Sequence, residues 1–142
     1  PASYVERWAE LLKIPVPKGA ALDRPGPTEH VLACGPTAAW RVHRAFQGQG
    51  ALDWSKNVSV IATTPAARQF AGLLAVVDPA PGATRLVRAP ASDGVDAWAQ
   101  QVKASTPRLD RIVLEPKAPP LVAKAVDALR SLFPKAVVLG AE

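Results

Sequence analysis

"HVLACGPTAAWRVHR", residues 30–44, decides how the rest of the chain is read. An apolar run ends in Cys34-Gly35-Pro36-Thr37 and turns directly into a helical pattern that carries Arg41, His43 and Arg44. A strand, a glycine turn and a helix N-terminus in that order open a βα unit. The same arrangement cradles phosphates, because the helix end presents unpaired N–H groups and the positive end of its dipole. The only cysteine of the chain lies inside it.

Downstream the pattern repeats as a short run rich in Val, Leu or Ile, a Gly or Pro turn, and a longer amphipathic segment. After a strand over 30–34 and a helix over about 36–47 come "NVSVIATT" (57–64) with a helix over 65–77, and "TRLVRAP" (84–90) with a helix in "SDGVDAWAQQVKAS" (92–105). "DRIVLEP" (110–116) precedes a helix with Val122, Ala125, Val126, Leu129 and Phe133 along one side, and "KAVVLGAE" (135–142) closes as a fifth strand. Thr64 is placed to cap the second of these helices, with Pro65 at its first position, where a missing N–H costs nothing; Asp93 is placed to cap the third. The expectation is a Rossmann-like three-layer α/β sandwich: a mostly parallel five-stranded sheet, right-handed crossovers and helices on both faces. Periodicity does not give the strand order.

Upstream, "SYVERWAELLKI" (3–14) gathers Tyr4, Trp8, Leu11 and Leu12 on one side of a helix, with Glu6, Arg7, Glu10 and Lys13 around the rest. Residues 1–14 are therefore expected to form an N-terminal amphipathic helix that docks through that side. The next segment, 15–29, carries Pro15, Pro17, Pro25 and Pro27 and reads as an extended connector to an α/β domain over 30–142.

With 49% hydrophobic and 20% charged residues, 142 residues suffice for one domain with an ordinary core. The net charge of +5 favours anionic partners, yet the basic residues are spread from Arg7 to Lys135 with no run of three, which reads as a solvated surface rather than a nucleic-acid face. One cysteine and two histidines supply neither a structural zinc site nor an internal disulfide, so a reducing, cytoplasmic setting is expected. No apolar run approaches the roughly 20 residues that cross a bilayer. The chain begins at Pro1 without methionine, which is expected of a processed protein or a piece of a longer one.

Ligands of open parallel sheets bind beyond the carboxyl ends of the strands. That rule nominates Gly35, Thr37, Thr64, Arg68, Arg88, Ser92 and Lys117 as residues for an anion, beside Cys34, Thr63, Glu115 and Gly140 at the same edge. A cysteine-phosphatase loop needs arginine six positions after its cysteine, where this chain has Trp40; Arg41 comes one residue later, turned by about 100°. A dinucleotide fingerprint needs closely spaced glycines, and Gly35 is followed by Pro36. Cys34 thus reads as a small buried hydrophobe, and His30 and His43 as surface or packing residues. Neither a metal, a cofactor nor a catalytic constellation is implied. Trp98 fits a core face and Trp8 the docking face of its helix, whereas Trp40 and Trp54 are expected to be exposed as an interaction patch.

"LDRIVLEPKAPPLVAKAVDALRSLFPKAVVLGAE", residues 109–142, resembles the middle of a response-regulator receiver domain. In that family a strand ends in the phosphoacceptor aspartate, and a proline-bearing loop and a helix follow. The resemblance places Glu115 at the acceptor position. Because "VSVIATT" ends without an acidic pair and Gly140-Ala141 replaces the family's Thr or Ser, it implies a pseudo-receiver that is not phosphorylated. The reading that follows is a non-catalytic regulatory or scaffolding module that binds a protein partner or neighbouring domain and senses a nucleotide-like anion. The alternatives are an enzyme for phosphorylated or nucleotide substrates, with Cys34 or Glu115 doing the chemistry, and a basic nucleic-acid binder.

Overall fold

The computed structural model describes residues 2–18, 22, 29–46, 58–62, 64–77, 85–88, 90–106, 108–115 and 118–140. The elements are α1 (Ala2–Leu11), β1 (Val31–Cys34), α2 (Pro36–Phe46), β2 (Val58–Ala62), α3 (Pro65–Val77), β3 (Arg85–Arg88), α4 (Val95–Ser105), β4 (Arg111–Leu114), α5 (Pro120–Leu132) and β5 (Val137–Leu139). Helix and strand alternate, and the strands pair in parallel in one sheet, so the protein is of the α/β class. The sheet order is β3-β2-β1-β4-β5.

β1 lies at the centre, and all four of its residues are buried. Successive side chains of a strand point to opposite faces, so "VLAC" feeds two cores at once. Val31 and Ala33 meet Val5, Ala9, Trp40, Phe70 and Leu74. Leu32 and Cys34 meet Trp98, Val102, Val122 and Leu129 on the other face. A strand covered on both sides has to be apolar throughout, which is why this one shows no polar alternation.

The chain runs outward from β1 through β2 to β3 with α2 and α3 on one face. It then crosses back to β4 and β5 with α4 and α5 on the other. Reversing direction and face together keeps one hand for every crossover, as right-handed βαβ units require. The reversal leaves a switch point between β1 and β4, where the helices that follow adjacent strands diverge. Receiver domains share the order β2-β1-β3-β4-β5 of flavodoxin-like folds. Here β3 lies beyond β2 at the edge, so the resemblance of residues 109–142 is confined to a local strand-helix-strand pattern.

α1 packs on α3 and belongs to the body of the fold; of the side expected to dock, Leu12 is half-buried against the core, but the rest faces solvent. Val5 and Ala9 are buried, while Tyr4, Trp8 and Leu11 are 46%, 38% and 67% exposed. The helix is apolar over nearly half its circumference, and the side carrying small residues permits the closer approach to α3. Its end is a Schellman turn: Lys13 takes φ 58° and the Ile14 N–H donates to the Ala9 carbonyl at 2.8 Å, which delivers Ile14 to the same core.

Two further expectations are corrected. Trp40 is 3% exposed rather than part of a surface patch; it meets Phe70 edge-on at 5.4 Å, and the Arg44 guanidinium lies 4.7 Å above its ring. Trp54 lies outside the described residues. Asp93 does not cap α4: a tight turn from the Gly94 N–H to the Ala91 carbonyl (3.1 Å) absorbs it and leaves Gly94 as the cap, with no side-chain hydrogen bond. Thr64 caps α3, its hydroxyl accepting from the Ala67 N–H at 3.1 Å, and Pro65 opens that helix. No described helix is long and apolar enough to cross a membrane.

The packing of α1 sets an asymmetry that chemical denaturation reads directly. Val5→Ala removes buried methyl groups and lowers stability by roughly 2 kcal/mol, whereas Leu11→Ala, on the exposed side, changes it by no more than about 0.5 kcal/mol.

Candidate functional site

Gly35 alone separates β1 from α2. It adopts φ +108°, a conformation that residues with a Cβ rarely take. Its N–H donates to the Ile61 carbonyl and its own carbonyl accepts from the Ala39 N–H, both at 3.0 Å, which clamps the turn between β2 and α2. Pro36 opens the helix and has no N–H to satisfy. The N–H groups of Thr37 and Ala38 come next, and in this kind of sheet they are the donors an external phosphate would meet.

Glu115, the residue after β4, occupies both. The Thr37 N–H donates to Oε1 at 3.0 Å and the Ala38 N–H to Oε2 at 2.6 Å. A carboxylate from the neighbouring strand thus caps α2 across the switch point, where the helix dipole favours negative charge. Gly35 is needed for this approach as well as for its dihedral angle, since a Cβ there would stand 2.7 Å from Glu115 Cδ.

The nominated residues separate into distinct settings. Thr37 is buried, and its hydroxyl donates to the Pro15 carbonyl at 3.0 Å, which pins the segment after α1 to the top of α2. Gly35 and Thr64 line a cleft of about 290 Å³ beyond the strand ends, bounded also by Ile14, Pro15, Cys34, Ile61, Glu115 and Val122. Arg68 is exposed on α3. Ser92 is exposed and lines a different groove, of about 490 Å³, with Asp93, Lys124, Asp127 and Ser131 between α4 and α5. Arg88 ends β3 opposite Ala62, its side chain outside the described part, and Lys117 lies outside it altogether.

Burial raises the Glu115 carboxyl above its ordinary value and outweighs the hydrogen bonds from Thr37 and Ala38, which act the other way. Burial also pushes the Cys34 thiol up to about 12, with the nearby Glu115 charge adding to the effect. Cys34 is 1% exposed and holds its proton at neutral pH, so it offers no thiolate for nucleophilic chemistry. Asp110 behaves oppositely: its hydrogen bonds from Arg108, at 2.6 and 3.0 Å, hold it below the usual range, and it accepts from the His30 N–H at 2.8 Å. That cluster lies at the other end of β1 and β4 and ties the entry of the two strands together. Among the described residues no group of three His, Cys, Asp or Glu is placed to hold a metal ion.

Sequence reasoning placed Glu115 at the strand-end edge without its capping role. The usable signal is that Gly35-Pro36 supplies α2 with no side-chain cap, so the donors behind it need one from elsewhere in the fold. Fold and site together define an α/β protein with one parallel sheet whose switch-point helix terminus is filled by its own carboxylate. No protein family, curated protein or solved structure matches the chain.

Two titrations follow. Carboxyl carbon NMR gives a Glu115 midpoint above its ordinary 4.5 and an Asp110 midpoint below its ordinary 3.8. In stability terms the Glu115 contribution is fully present below 4.5 and is lost as pH rises through its raised folded value. That of Asp110 is present above 3.8 and is lost as pH falls through its lowered one. Iodoacetamide at pH about 8 alkylates Cys34 only as fast as the protein opens, so mild denaturant accelerates the reaction steeply; rapid alkylation of the native protein contradicts the burial.

Proposed function

We propose that this protein is a non-catalytic, Rossmann-like α/β module that works by binding a protein partner, with the outer side of α1 as the contact. The observation that carries this reading is the exposure of Tyr4, Trp8 and Leu11, spaced i, i+4, i+7 on a helix whose other side is already committed to the core. The Tyr4 and Trp8 rings meet edge-on at 6.4 Å, forming a continuous aromatic ridge. Large aromatic side chains of this kind are the usual anchors of protein interfaces. Arg7 follows the same stripe, and with the net charge of +5 it suits an apolar partner surface with an acidic rim.

The strand order agrees with the first five strands of a dinucleotide-binding sheet. A nucleotide-like anion seated as in such sheets has to displace Glu115 from α2 first, and a catalytic role for Cys34 has to overcome its burial. These two costs favour a binding module over the enzyme alternative. The basic residues are not gathered along one described element, which leaves nucleic-acid binding without a specific support.

The test is site-specific photo-crosslinking in cells that express the full-length chain, with the crosslinker at Leu11 and, as a control, at Lys135. The expected result is one defined protein adduct from Leu11 and none from Lys135, abolished by Trp8→Glu with the circular dichroism spectrum unchanged. Indistinguishable adducts from the two positions, or persistence of the adduct in Trp8→Glu, overturns the assignment of α1.

A further inference from the structure

We propose that the cleft between the segment after α1 and the ends of β1 and β4 binds a small apolar molecule carrying one ammonium group, with Glu115 as its anchor. This goes beyond the docking reading and does not rest on it, because the cleft lies at the strand ends and the aromatic ridge faces outward from α1.

The cleft has the chemistry of a selective site. Its volume of about 290 Å³ is at the lower end for small-molecule pockets. Ile14, Pro15, Ile61, Ala67 and Val122 make its walls apolar, and the Cys34 beside them is neutral. Against these walls stands one carboxylate. Glu115 accepts from two backbone N–H groups and also feels the Thr37 hydroxyl, which still leaves part of the roughly four acceptor positions of a carboxylate open.

Its charge is also only partly met. The N-terminus of α2 contributes about half a positive charge, and among the described residues Glu115 takes part in no ion pair. Lys13 also lines the cleft, but its side chain is exposed to solvent and forms no ion pair with Glu115 among the described residues. A carboxylate beside apolar walls attracts a cation more strongly than it would in water, and an ammonium brings N–H donors for the open acceptor positions. An anion meets the opposite conditions, since the helix N–H groups are taken and the Glu115 charge repels it. The raised titration of Glu115 agrees with a charge that is under-compensated in the free protein.

The experiment titrates the ¹⁵N-labelled full chain with benzylamine, benzyl alcohol and benzoate at neutral pH, following the amides of Gly35, Thr37 and Ala38. Benzylamine is expected to shift these amides saturably, at least about tenfold more tightly than either neutral or anionic probe, and to lower the Glu115 carboxyl midpoint, because a bound cation favours the ionised form. Ala66→Leu, which adds side-chain bulk to the lining of the cleft, should abolish the response. Three probes that act alike, shifts spread outside the cleft, no saturation, or an unaltered response in Ala66→Leu would each overturn the proposal. None of these outcomes bears on the crosslinking at Leu11, so the two readings fail separately.

Discussion

The hydrogen bonds from Thr37 and Ala38 to the Glu115 carboxylate are the constraint on which the upper end of this molecule depends. They join the residue after β4 to the first turn of α2 across the switch point, at the place where two halves of the sheet diverge. Charge-assisted bonds of this type are stronger than neutral ones, and an uncapped pair of half-buried N–H groups would be costly. Much else follows locally. Gly35 has no room for a side chain, the Glu115 charge adds to the burial that keeps Cys34 neutral, and the helix terminus that would hold a phosphate already holds a charge of the same sign.

The second determinant is the double duty of β1. With alternate residues in two cores, it makes the α1–α2–α3 face and the α4–α5 face depend on one four-residue strand. The segment after α1 is held to the same region twice, by Ile14 in the core and by the Pro15 carbonyl on the Thr37 hydroxyl. α1 is therefore fixed in place while its aromatic ridge stays in solvent. That combination is what the proposed docking surface requires, and it separates the ridge from the cleft that Ile14 and Pro15 help to enclose.

The alternation of helices and strands was legible because periods of two and of about 3.6 are local properties of the sequence. Strand order was not, because an apolar run such as "VLAC" pairs equally well with several others, and only the packing of helices on two faces selects its neighbours. The docking side of α1 is only partly legible for a physical reason: ranking by size favours Tyr4, Trp8, Leu11 and Leu12, of which Leu12 alone packs on the core, because close approach to α3 favours Val5 and Ala9. Trp40 is likewise concealed among charged neighbours in sequence, although Arg44 lies over its ring and Phe70 against its edge. Of the site, Gly35 and Thr64 could be placed at the strand ends from the sequence alone. The cap on α2 could not, because Glu115 and Thr37 are 78 positions apart and nothing local joins them. Ser92 follows a strand in the sequence, yet the turn into α4 carries it to a separate groove.

The most direct measurement is the amide spectrum of the native protein during titration with inorganic phosphate, read at Thr37 and Ala38 and repeated with Glu115→Ala. An internally capped helix leaves both native signals unmoved, while removal of the carboxylate lets phosphate shift them saturably. Saturable shifts of these two amides in the native protein would contradict the account, because the helix terminus would then be open to an external anion with Glu115 in place.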